Sequence, residues 1–134
     1  MYKKILVPID GSKRAERVLH HVEKMAIQNN SDVVLLMATP LKGRKPSSHD
    51  AQYYLNSFDR QKIAAEAYLK VIQTALNQKK VKTRGSVEFG NPVEIVVAKV
   101  KDESPDLVAI ASHGKKSFGP LLNKISTPIL FITS

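Results

Sequence analysis

The chain contains no cysteine, which excludes disulfides, zinc-thiolate centres and thiol nucleophiles together. A metal would be left with histidines and carboxylates, and the four histidines, His20, His21, His49 and His113, lack the spacing of a ligand set. Aromatic residues make up only 6%, and none is interleaved with the basic clusters as a base-stacking platform requires. Long apolar runs are missing as well. In the opening "MYKKILVPIDGS" the hydrophobic stretch stops at Pro8 and Asp10 after about five residues, too short for a signal peptide or a membrane span. The expectation is a cytoplasmic protein of one domain over residues 1–134.

What is present fits that expectation. The 43% hydrophobic and 25% charged residues are ordinary for a globular chain with one core. Lysine and arginine exceed aspartate and glutamate by 21 to 12, a formal net charge of +9. A field of that sign attracts polyanions, but the charge is dispersed, with small clusters at Lys42, Arg44 and Lys45, at Lys79, Lys80, Lys82 and Arg84, and at Lys115 and Lys116. A solvated surface is the simpler reading, and nucleic acid a minor one.

The apolar pattern alternates between two periods. "KKILVPI", "SDVVLLMA", "PDLVAIAS" and "TPILFITS" are short runs suited to strands buried on both faces, and "VKTRGSVEF" is a weaker strand near a sheet edge. Ala15, Val18, Leu19, Val22, Met25 and Ala26 recur at helical spacing after Ser12, a candidate N-cap. A long helix is expected over residues 51–78, where Leu55, Phe58, Ala65, Leu69, Ile72 and Leu76 form one stripe. The preceding loop at residues 40–50, "PLKGRKPSSHD", is rich in turn formers. In "GNPVEIVVAKVKDES", Asn91 suits a cap, Pro92 the first helical position, and Glu94 can reach back to the cap, with Val93, Val96, Val97 and Val100 as the buried face. Strands alternating with helices predict an open, doubly wound parallel α/β sheet with right-handed crossovers. Ligands in such sheets bind beyond the carboxyl ends of strands, which directs attention to residues 8–12, 37–40 and 111–117.

"KKILVPIDGSKRAERVL", "VVLLMATP", "GNPVEIVVAKVKDESPDLVAIASHGKKS" and "TPILFI" together resemble the universal stress protein family, in order and over nearly the whole chain. The resemblance implies a Rossmann-like, five-stranded parallel sheet of order 3-2-1-4-5 with helices on both faces, usually a homodimer, and in one branch of the family an ATP site. It places Pro8 and Asp10 at the end of the first strand, near the ribose. Met37 and Ala38 fall where the second strand meets adenine, and Ser112, His113, Gly114 and Ser117 where the phosphates are held. Asp10 has an equally good alternative, satisfying N–H groups of its own turn.

The phosphate pattern is incomplete. The family pattern is Gly, two residues, Gly, nine residues, then Gly and Ser or Thr. Gly114 takes the first position, the second falls on Ser117, and nine residues later the chain is already at Thr127 and Pro128. Seven or eight residues are missing by this alignment, about two helical turns. Lost glycines weaken an anion cradle more than a shortened helix does, because the helix dipole acts within its first turn. Lys115 and Lys116 could compensate only partly, as exposed cations are screened by salt. "GPLLNKIST" is no Walker loop, lacking a second glycine before Lys124. Asp10, Ser112 and His113 make a triad only on paper, since spacing does not set their geometry.

The expected function is a noncatalytic, homodimeric stress-response or regulatory module with impaired or lost ATP binding. The alternative is a sensor that still takes ATP, ADP or AMP. A hydrolase is disfavoured because no general base, magnesium-ligand cluster or arginine clamp can be placed. Ile129, Leu130, Phe131 and Ile132 are consecutive and uncharged in the strand that the resemblance puts at the sheet edge, so pairing with a second copy is expected, with coverage by the chain's own loops as the alternative.

Overall fold

The computed structural model describes residues 2–11, 15–39, 51–111 and 118–133, apart from the side chains of residues 51–56. In chain order the elements are β1 (Lys4–Ile9), α1 (Ala15–Asn29), β2 (Asp32–Thr39), α2 (Ala51–Gln78), β3 (Thr83–Phe89), α3 (Pro92–Glu103), β4 (Leu107–Ala111), a short 3₁₀ helix (Gly119–Asn123) and β5 (Ile129–Ile132). The strands form one sheet of order β3-β2-β1-β4-β5, and every neighbouring pair is parallel. This is the expected doubly wound α/β architecture.

Alternation within the strands divides the core in two. Ile5, Val7, Ile9, Val33 and Leu35 face α1 and α2, where they meet Val18, Val22, Leu69 and Leu76. Leu6, Val34, Leu36, Val108 and Ile110 face the other way, onto Val96 of α3 and onto Phe118 and Leu121 beside and within the 3₁₀ helix. Because both faces are covered, consecutive residues of the central strands are all apolar. Each fully buried side chain of this size contributes about 1.5–3 kcal/mol.

The helix ends follow local chemistry. Asn91 Oδ1 accepts the N–H of Glu94 at 3.1 Å, and Pro92 occupies the first turn. α3 ends at Ser104, whose N–H still reaches the Val100 carbonyl at 2.9 Å and whose left-handed backbone (φ 48°) then turns the chain out of the helix. The bounds of α2 coincide with those expected from its stripe, and Ala65, Leu69 and Leu76 are buried. Ser12 and Leu55 lie outside what the structure describes of caps and side chains.

Pro8 is a proline in a central strand, and the backbone directions explain why it is tolerated. The Lys3 carbonyl accepts from Asp32 N on the β2 side and the Lys4 carbonyl from Asp106 N on the β4 side, so even-numbered peptides of β1 face β4. Pro8 therefore faces β4 without an N–H, and the β1–β4 register ends at Leu6↔Val108. The β1–β2 register runs on to Ile9↔Met37.

Candidate functional site

Parallel strands place their carboxyl ends on one rim, and the strand order reverses at β1, between β2 and β4. At that rim β1 gives way to exposed Asp10 and then Gly11. Gly11 has a φ of +85°, open to glycine at no steric cost, and a Cβ there would lie 3.2 Å from Met37 Cε. The glycine thus makes the turn and leaves room for the Met37 side chain.

Beside this turn is a cavity of about 290 Å³. Its strand-end lining is Asp10, Gly11, Met37, Thr39 and Phe89, and α2 contributes Gln61, Ala64, Ala65 and Tyr68 to an open cleft. The α2 residues lie at i, i+3, i+4 and i+7, one helical face. Phe89 is braced by Phe58, with ring centroids 5.3 Å apart. Burial pushes the Tyr68 phenol above its ordinary 10, and the negative charges of Glu16 and Asp10 push it further the same way. Tyr68, a protonated donor at neutral pH, and Asp10 line the same cavity. An apolar pocket with a few polar groups suits a flat apolar ring carrying hydroxyls.

Met37 and Ala38, neighbours in sequence, point to opposite faces. Met37 lines the cavity, whereas Ala38 is buried with Leu36 and Val34 on the α3 side. Ala38 can therefore meet a ligand only through its backbone. Pro8 is buried in β1 and is not part of the lining. Ser112, His113, Gly114, Lys115, Lys116 and Ser117 all lie outside the described residues.

Where the chain is described again, Phe118 and Leu121 are buried against Val96, Val108 and Ile110. The following helix is a five-residue 3₁₀ turn with Pro120 in its first turn. The described part of the connection from β4 to β5 is thus anchored by apolar packing. Among the described residues no group of three or more His, Asp or Glu is placed to hold a metal ion.

Thr39 falls within the strand-end stretch 37–40, whereas sequence reasoning missed Gln61, Tyr68 and Phe89. The strand-end rule, applied to β3, would have found Phe89. Gln61 and Tyr68 carry no such signal, because helical periodicity marks the face of α2 but not the strand end it reaches.

Comparison with known proteins gives a consistent outcome. The model of the universal stress protein family matches residues 1–130. The universal stress protein MJ0577 of Methanocaldococcus jannaschii is 29% identical over 136 residues, covering 91% of this chain and 83% of that protein. A putative universal stress protein of Staphylococcus aureus strain USA300 is 32% identical over 117 residues, covering 84% and 68%. The solved structure of MJ0577 superposes with a TM-score of 0.82 at 24% identity, covering 100% of this chain and 97% of that one. The Archaeoglobus fulgidus universal stress protein in complex with dAMP gives 0.71 at 19%, covering 98% of both chains. An Arabidopsis thaliana family protein with AMP bound gives 0.69 at 16%, covering 98% and 91%.

Proposed function

Because this chain belongs to the universal stress protein family, we propose that it is a noncatalytic regulatory module of the stress response that binds adenine nucleotides weakly and mainly through the nucleoside. The observation that carries this reading is the cavity at the β1–β2–β3 side of the rim. On the β1–β2–β3 side, Asp10, Met37, Tyr68 and Phe89 surround a cavity of about 290 Å³, at the small end of ligand sites. On the β4 side the connection continues into a five-residue 3₁₀ turn whose neighbour Phe118 is committed to the core. Structural neighbours carrying dAMP and AMP support the ligand class.

Asp10 and the backbone around Met37 and Ala38 would hold the nucleoside, with Ser112, His113, Gly114 and Ser117 beside its first phosphate and Lys115 and Lys116 as screened countercharges. Ile129, Leu130, Phe131 and Ile132 form the last strand of the sheet, and Leu130 is 39% exposed there. A homodimer through that strand belongs to the same proposal. So does a cytoplasmic location, supported by the lack of a membrane-crossing helix among the described residues.

A thermal-shift titration with AMP, ADP and ATP, with and without magnesium, tests the nucleotide reading. A ligand at about 100 times its Kd adds roughly 2.7 kcal/mol of stability, which such a scan detects. Similar, small shifts for all three are expected. A magnesium-dependent shift for ATP far larger than that for AMP would overturn the reading.

A further inference from the structure

We propose that the outer edge of β3 is a docking strand for an acidic, extended peptide of a partner protein. β3 ends the sheet on the side opposite β5. The Lys82 carbonyl accepts from Val33 N at 2.8 Å, and Gly90 N donates to the Thr39 carbonyl at 3.1 Å. Even-numbered peptides of β3 therefore face β2, and odd-numbered ones face outward.

At the first outward position the edge is already closed by a side chain. Asn77 Oδ1 accepts the Thr83 N–H at 2.9 Å, and Asn77 Nδ2 donates to the Thr83 carbonyl at 3.3 Å. One amide thus imitates a neighbouring strand at one residue. Gly85 and Val87, the next outward positions, have no such partner among the described residues. Neither proline nor a bulge guards this seven-residue strand.

A groove of about 480 Å³ runs along this edge, walled by Lys62, Glu66, Lys70 and Gln73 of α2. Lys62 and Lys70 bracket Glu66 by one turn each, and neither is ion-paired among the described residues. Lys80 adds a third exposed cation in the turn between Asn77 and β3. Alternate side chains of an added strand would point at this wall, so carboxylates at every second position match it. A second copy matches it poorly, since lysines would meet lysines on a chain of net charge +9.

The probe is a fluorescent, acetylated eight-residue peptide alternating valine and glutamate, titrated into the whole protein by anisotropy. Saturable binding that weakens with salt is expected, together with slowed hydrogen exchange of the Gly85 and Val87 amides. Val87→Pro removes an outward N–H at no cost to the β2 ladder and should weaken binding about tenfold. Lys62→Glu with Lys70→Glu, both on the exposed face of α2, should do the same and carries the test alone if Val87→Pro unfolds. The proposal is overturned if no binding is seen at millimolar peptide, if a lysine-for-glutamate peptide binds equally, or if both variants retain wild-type affinity. Self-association through β3, seen in sedimentation and abolished by Val87→Pro, would overturn it in favour of a second copy.

Discussion

Arg84 of β3 holds the carboxylate of Glu103, the last residue of α3, with both terminal guanidinium nitrogens, Nη1 donating to Oε2 at 2.6 Å. Lys4 of β1 donates to the Glu103 carbonyl at 2.9 Å and to its Oε1 at 3.4 Å. Three elements are thus tied together at the amino ends of the strands, the rim away from the candidate site. The Arg84 hydrogen bonds chiefly, then the Arg84 charge and Lys4, hold Glu103 at about 2 instead of its ordinary 4.5.

A carboxylate depressed in the folded state contributes stability above its unfolded value and loses it as pH falls towards the folded one. Its contribution should therefore be whole above about pH 4.5 and disappear on approach to pH 2. Arg84 is 57% exposed, so solvent screening limits the contribution to about 1 kcal/mol. Urea titrations of the wild type and Glu103→Gln should differ by that much at pH 7 and converge near pH 2. A constant difference across the range would show that the charge is not responsible.

Gly85 should resist substitution because of space. A Cβ at this position would stand 2.9 Å from Leu69 Cδ2 and 3.3 Å from Leu35 Cβ. Leu69 is buried and cannot swing away, so Gly85→Ala should lose about 1–3 kcal/mol in chemical denaturation. The same change in a Leu69→Ala background should cost less, and equal costs in both backgrounds would refute the contact.

Asp10 should act on both ligand and phenol. Asp10→Asn is expected to weaken AMP binding about tenfold, the loss of one charge-assisted hydrogen bond, while leaving the melting temperature nearly unchanged at this exposed position. In an ultraviolet titration the Tyr68 phenol should move down towards 10 in the variant, though not all the way, because burial is the larger cause. An unmoved phenol together with unchanged AMP affinity would remove Asp10 from the site.

The edge formed by β5 yields a prediction about assembly. Leu130→Lys with Phe131→Lys puts two cations on the strand proposed to pair with its copy. Sedimentation should report a monomer, or the protein should become insoluble. A soluble dimer of wild-type size would move the interface elsewhere.

Much of the fold was legible because it depends on local chemistry. The Asn91–Pro92 start of α3 and the 28-residue span of α2 each follow from residues adjacent in the chain. The site was only half legible. Met37 and Asp10 could be placed by the strand-end rule, whereas Tyr68 and Gln61 enter the cavity only because α2 packs across β3 and β2 at one particular height. Asn77 was also hidden, since an amide at the end of a helix does not announce that it will serve as a strand's neighbour six residues later.

Pro8 has a mechanical consequence for the rim. Each half of the sheet is laddered to its end, β1 with β2 through Ile9↔Met37 and β4 with β5 through Ala111↔Ile132, but the two halves are registered to one another only as far as Leu6↔Val108. Above that point the sheet is a pair of jaws with one rung removed. A ligand touching Asp10 on one jaw and the end of β4 on the other would supply the missing rung, and through it would couple its own binding to the stiffness of the whole sheet.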